Sequence, residues 1–360
     1  MPNKKISYII LIFLLFLPIL LLLCIDYLNI ESFTVKFNEN FVFEWTWKGR
    51  MFYLFFLWLV IMEFHASSEI IRSANPTHWW ASLICLSLPT VYVLAVNFFG
   101  LNTVILWLGE TFGISKWGTD FIFFHWPLSC EYMVFAVSFI MGVTLSYGKT
   151  GLQTFSISLS FLASIASAYM FDTIFPFGVF KPLQVFALPT AATSAALFEL
   201  LGYTTQLRYP VRYGESNLPL LVVTKDGKMA SVGIAWACAG VHSLLLYTLI
   251  ILVFFKKLAI SKQSKIIYFL VGFIGTYFVN VLRVFSLVLV MLNYGQEAMK
   301  AAHDIYGELF FLSWIFVYMF LILSIEEYRL VEQIRSLKTK IFTLISKIKG
   351  KLMNRIKASK

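Results

Sequence analysis

Charge is scarce in this chain. Only 13% of its 360 residues are charged, against 59% apolar, whereas a soluble globular protein carries about 25% charged residues. So little polar material does not coat a watery surface of this size, and the excess apolar surface needs lipid as its solvent. Cysteine is scarce too. Cys24, Cys85, Cys130 and Cys238 form no CxxC pair and no metal-ligand spacing, so neither a disulfide framework nor a zinc site is indicated. His65, His78 and His125 are scattered, again without metal spacing. No P-loop, GxGxxG or HExxH occurs, which removes the motifs of nucleotide-driven and zinc-dependent mechanisms. Neither a cofactor nor a metal is expected.

Long apolar runs take the place of charge. An apolar stretch of about 20 residues spans a bilayer as a helix, because lipid offers no partner for loose backbone groups. The candidate spans are 6–25, 51–64, 79–99, 121–146, 152–171, 182–202, 235–255, 266–292 and 308–325. The first is long for a signal-peptide core and no small-residue cleavage site follows it, so it is expected to stay as a helix. The stretch 101–113, interrupted by Glu110, suits the membrane interface. No internal repeat and no low-complexity linker divides the chain. The expected fold is an all-α polytopic membrane protein with eight or nine transmembrane helices. It divides into N-terminal helices over 1–171, a core carrying the candidate site over 172–325, and a tail over 326–360.

The basic residues orient it. Lys256, Lys257, Lys262 and Lys265 crowd one short loop, and the ten Lys and Arg from Arg329 onward meet only Glu332. Both segments are expected on the cytoplasmic side. The tail reads as an anchor on anionic lipid head groups rather than a nucleic-acid site. The loops 203–234 and 293–307 then face outward. Lys4 and Lys5 favour a cytoplasmic start, yet nine spans put the termini on opposite sides. Either one candidate does not cross or a crossing is missing. Within 203–234, β-branched runs flank Asp226-Gly227, a hairpin signal. A small extracytoplasmic β-hairpin element is therefore expected before the helix that carries Cys238.

Three reactive side chains fall at one depth near that outer side. Cys238 is expected in the first turn of the helix 235–255, where unpaired N–H groups and the helix dipole favour a thiolate; the plainer reading is a packing cysteine. Arg283 lies 17 positions after Ile266, about 25 Å along a helix axis, close to the outer leaflet. It is placed either to stabilise charge or to snorkel toward head groups. Asn280, one turn earlier on the same face, is positioned to orient it. His303 precedes the last span, as a proton carrier or as an ordinary interfacial histidine. His242, four residues after Cys238 and on the same face, is an alternative base. A nucleophile, a base and a cation are the parts that acyl transfer needs. From another class of function, Glu131 and Glu199 inside apolar spans, with Arg283, are candidates for the path of a secondary transporter or channel, although inverted repeats are missing.

Trp-Ala-Cys238-Ala-Gly240, Asn280-x-x-Arg283 and His303-x-x-x-Gly307, in that order on successive spans, resemble the exosortase/archaeosortase family. The resemblance covers roughly 180–325, outer hairpin included. It implies a membrane-embedded cysteine peptidase and transpeptidase, a thiol protease acting outside the cytoplasm in protein sorting. Its partners are exported proteins with a C-terminal sorting signal: a short motif, a transmembrane helix and a basic cluster. The new C-terminus passes to an acceptor, with membrane lipid as the implied one, for anchoring at the cell surface. Carried over by residue, Cys238 is the nucleophile, Arg283 stabilises the transition state and His303 is the general acid or base. Asn280 and Gly240 match in supporting roles. Many bacterial members carry Ser after the Cys; Ala239 here leans toward an archaeosortase.

Overall fold

The computed structural model describes residues 4–33, 49–67, 78–119, 121–176, 179–213, 216–303, 306–307, 309–328 and 336. The basic tail expected after Tyr328 lies outside the described residues, apart from position 336. The apolar runs form helices: α1 (Lys4–Tyr27), α2 (Met51–Ala66), α3 (Trp79–Phe98), α4 (Leu101–Thr111), α5 (Trp126–Thr154), α6 (Ser156–Ile174), α7 (Ala187–Leu200), α8 (Val241–Lys257), α9 (Lys262–Tyr294) and α10 (Leu309–Tyr328). A π turn over Phe121–His125 leads into α5. Gly148, in a conformation open to glycine (φ 57, ψ −140), breaks the helical path between the expected spans 121–146 and 152–171. Among the described residues six helices are long and apolar enough to cross a membrane, and the outward sides of α9 show why: Ile266, Ile267, Leu270, Val271, Ile274 and Phe278 are exposed. The protein is a multi-pass membrane protein.

Polar contacts at the helix ends define two faces. On one, Arg50 at the start of α2 donates from Nε and Nη2 to Glu131 in α5 at 2.7 and 2.8 Å, with Asp26 of α1 3.8 Å away. On the other, Glu63 of α2 accepts from the backbone N–H of Ile157 and Ser158 (2.8 and 3.0 Å) and from the Ser158 hydroxyl (2.5 Å). It thus serves as the N-terminal cap of α6 from a neighbouring helix. Lys257, at the end of α8, pairs with the same carboxylate, so the buried charge is balanced. The basic loop 256–265 lies on this second face.

One expected span does not cross. Between the end of α6 and the start of α8 the chain stays on the first face. Gln184 bonds to Ile234 O (3.0 Å) and Trp236 N (2.9 Å), and Thr190 in α7 donates to Ala239 O at 3.1 Å. The beginning of α7 is thereby tied to the segment that opens α8, while its end enters the β-sheet on the same face. One side of α7 sits in a small core of its own, while Val185, Phe186, Leu188, Leu200 and Leu201 of the apolar stretch 182–202 are exposed. Ala191, Phe198, Leu221, Val223, Ile234, Val284 and Val288 form that core. Without this segment eight helices run from face to face among the described residues, which removes the parity conflict between Lys4-Lys5 and the basic loop.

The β element, which lies on the first face, is larger than one hairpin. β1 (Thr204–Tyr213), β2 (Ser216–Lys225) and β3 (Lys228–Gly233) form an antiparallel sheet in that order. The expected turn at Asp226-Gly227 joins β2 to β3, with positive φ at both residues (51° and 73°), the conformation a two-residue hairpin favours. The sheet packs on α7 and on the far end of α9. At 33 residues α9 is about 50 Å long. It is therefore long enough to cross the roughly 30 Å hydrocarbon core and continue into the layer that holds the sheet.

Candidate functional site

The site forms where the layer of α7 and the β-sheet meets the long apolar helices. Cys238 does not lie in the first turn of a helix. It sits in a turn over 236–240, and α8 begins only at Val241, with Gly240 as N-cap at φ 90. The reason is local: Gly240 takes a left-handed conformation that breaks the helical path. The turn is held by side chains from elsewhere. Besides the Gln184 and Thr190 bonds, Asn280 Nδ2 on α9 donates to Cys238 O at 3.2 Å. Phe171 on α6 packs edge-on against the buried Trp236 ring, centroids 5.5 Å apart.

Three side chains from three elements meet here. Cys238 Sγ lies 3.6 Å from His303 Nε2, and Arg283 Nη2 lies 3.4 Å from the same nitrogen. His303 lies in a helical stretch, described over 296–303, that follows the tip of α9 at Gly295. Arg283 is 21 positions from the start of α9, about 31 Å along its axis. His303 Nε2 is its one hydrogen-bond contact among the described residues, which leaves most of its five N–H donors unused. Burial works against a Cys238 thiolate. The hydrogen bond and charge of His303 and the charge of Arg283 outweigh that, against an opposing push from Asp172, and the thiol ionises below its ordinary range. Its activation thus comes from these neighbours, not from a helix dipole.

Glycine makes the approach possible. A methyl group on Gly307 would stand 2.9 Å from Arg283 Nη2, so the guanidinium lies directly against that backbone. The other expected residues fall elsewhere. His242 packs edge-on against Trp236 (4.7 Å), and its Nε2 has no hydrogen-bond partner among the described residues; the imidazole bonded to the sulfur is that of His303. Glu131 is committed to Arg50, and Glu199 bonds to Thr205 at the exposed end of α7. Glu131 and Glu199 are thus engaged by Arg50 and Thr205, and Arg283 by His303. No cluster of metal-binding side chains occurs among the described residues.

One neighbour escaped the sequence reading. Asp172, in the last turn of α6, interacts electrostatically with both His303 and Cys238. It meets the criterion that singled out Glu131 and Glu199, a carboxylate in an apolar span. Ending that span at residue 171 placed it outside.

A match of the family model for transmembrane exosortases over residues 47–320 takes in every residue of this cluster. The chain belongs to the transmembrane exosortase family. No curated protein and no solved structure matches it significantly. Exosortases are membrane transpeptidases of protein sorting, and a sulfur, an imidazole and a guanidinium gathered beside the ends of membrane helices are suited to such acyl transfer.

Proposed function

We propose that this exosortase cleaves the C-terminal sorting signals of exported proteins through a thioester on Cys238 and passes the new C-terminus to an acceptor, a membrane lipid. The observation that carries this reading is the contact of Cys238 Sγ and Arg283 Nη2 with one nitrogen of His303. His303 Nε2 takes the thiol proton, and the sulfur attacks the scissile carbonyl carbon. The resulting oxyanion turns to the free donors of Arg283. The imidazolium returns its proton to the leaving amine, the C–N bond breaks and the thioester remains. The acceptor then attacks, gives its proton to His303, and releases the thiolate. Asn280 and Gly240 fix the backbone that carries the sulfur.

The site works on the extracytoplasmic side. It lies on the face opposite Lys256, Lys257, Lys262 and Lys265, and short basic loops stay in the cytoplasm. The C-terminus then lies in the cytoplasm. The test is co-expression with an exported protein that ends in a short motif, an apolar helix and a basic cluster. Cys238→Ala should leave that protein at full length with its terminal helix. Wild-type processing in the variant would remove the sulfur from the mechanism.

A further inference from the structure

The β-sheet has two edges, and they are built differently. β1 pairs with β2 through a register shift between Arg208 and Val211, and Pro210 within that shift has no N–H to offer. Bulges and prolines are the usual guards of an open edge. β3 has neither. It pairs with β2 in unbroken register from Lys225↔Lys228 to Leu220↔Gly233, and with no other strand among the described residues. Just beyond the strand, Ile234 N–H donates to Pro219 O at 3.0 Å. Bonded and non-bonded positions alternate along an antiparallel ladder, so Val232, Ala230 and Lys228 share the direction of Ile234 toward β2. Met229, Ser231 and Gly233 then turn their N–H and C=O groups to the open edge. All three are exposed, while Ala230 is buried in the core under the sheet.

We propose that the β3 edge receives an extended stretch of the exported protein's sorting signal as an added strand, and so delivers the scissile carbonyl to Cys238. The inference deepens the proposed function and rests on it. Continuity with the site carries it. β3 runs directly into the cysteine turn: the Gln184 side-chain amide grips Ile234 O and Trp236 N, and Cys238 follows five positions after Gly233. Five residues cover at most about 17 Å, so a peptide laid along β3 reaches the sulfur within about five residues of its own. From the other side β3 rests on α9, the helix that carries Arg283, so one helix places both the edge and the guanidinium. Strand addition draws its affinity from main-chain hydrogen bonds and its selectivity from alternate side chains. The exposed face of β3 leaves room for those side chains. A methyl group on Gly233 would meet nothing closer than Leu218 Cδ1 at 3.4 Å, and Met229, 69% exposed, offers an apolar contact.

Amide hydrogen exchange tests the inference. Full-length Cys238→Ala protein in lipid nanodiscs is measured alone and in complex with an exported protein that ends in a short motif, an apolar helix and a basic cluster. In the complex the amides of Met229, Ser231 and Gly233 should exchange about tenfold or more slowly, while those of Ala230 and Val232, already bonded to β2, change little. Ser231→Pro removes one edge-directed N–H and leaves the bonds to β2 in place. It should raise KM for the same exported protein about tenfold with kcat nearly unchanged. The exchange measurement needs no change in β3, so it decides the matter even where Ser231→Pro disturbs the sheet. Unchanged exchange at Met229, Ser231 and Gly233 in a complex that has formed overturns the inference. Slow exchange of these amides already in the unbound protein does so too, because a second copy or another segment of the chain then covers the edge. Wild-type protein that cuts such signals while β3 stays unprotected defeats the inference alone. Wild-type protein that cuts none defeats the proposed function, and the inference with it.

Discussion

Gly240 and Asn280 occupy adjoining space so closely that a methyl group on the glycine would lie 2.5 Å from Cγ of the asparagine. Gly240 also has φ 90, a conformation costing other residues about 1–2 kcal/mol. Gly240→Ala therefore carries two penalties, and the second falls on the Asn280 bond to Cys238 O. Thermal unfolding should report a loss of about 2 kcal/mol, and turnover should fall by more than that loss explains. A variant with wild-type turnover would show that the cysteine turn tolerates a shifted Asn280.

Gly307 is a milder case of the same arrangement. Its added methyl would meet Arg283 Nη2 at 2.9 Å, and the end of an arginine side chain has room to move. Gly307→Ala should leave the unfolding temperature close to wild type and lower kcat about tenfold, by turning the guanidinium away from the oxyanion position. A large loss of stability with intact kcat per folded molecule would assign Gly307 to packing alone.

Much of this arrangement was legible in the sequence, because it follows from local pattern. The apolar runs, the Asp226-Gly227 turn and the motif around Cys238, Arg283 and His303 are contiguous signals. What escaped is set by tertiary context. The stretch 182–202 has the hydropathy of a span, and its failure to cross depends on Gln184 and Thr190 meeting the 234–239 backbone, some 50 residues away. The apolar run 235–255 reads as one helix that takes in Cys238, while Gly240 ends that option with a positive φ. Asp172 looks like a loop residue until His303 arrives from the far side of α9.

Arg50 and Glu131 test whether a buried ion pair in the N-terminal half serves the fold or transport. The pair is bidentate and buried, and removing one partner of such a pair costs about 3–5 kcal/mol. Glu131→Leu and Arg50→Met should each lower the unfolding temperature strongly. The double variant should recover part of the loss, because neither partner of the bidentate pair is left alone, and only part, because Asp26 still loses Arg50. Cleavage per folded molecule should persist in all three. Ion flux across proteoliposomes that disappears with Glu131→Leu would favour a transport role instead.

The pH dependence of Cys238 follows from its neighbours. Its thiol is held below the ordinary range chiefly by the hydrogen bond and charge of His303, working against burial. Alkylation by a soluble reagent should therefore continue at pH values where an ordinary thiol is silent, and fade only as the pH drops through the lowered value. His303→Ala removes those leading contributions and should move the profile to higher pH. Cys24, Cys85 and Cys130 are replaced by Ser beforehand so that one sulfur is read. A profile that stays in place without the imidazole would break the link between the two residues.

The path of the chain from α6 to α8 makes a prediction that needs no substrate. If α7 crossed the membrane, positions before and after it would face opposite sides. In the structure Val179 precedes α7 and Gly227 follows it, yet both belong to the face that carries the cysteine turn. Single cysteines introduced as Val179→Cys and Gly227→Cys, in a chain with Cys24, Cys85, Cys130 and Cys238 replaced, should both react with a membrane-impermeant maleimide added to intact cells. Lys262→Cys, in the basic loop before α9, should react only after the membrane is opened. Val179 and Gly227 lie outside the site cluster, so neither change touches the residues that carry the chemistry. Protection of Val179→Cys in intact cells, with Gly227→Cys labelled, would restore 182–202 as a true span. It would also place the end of α6 on the cytoplasmic side, away from the cysteine turn that Phe171 packs against.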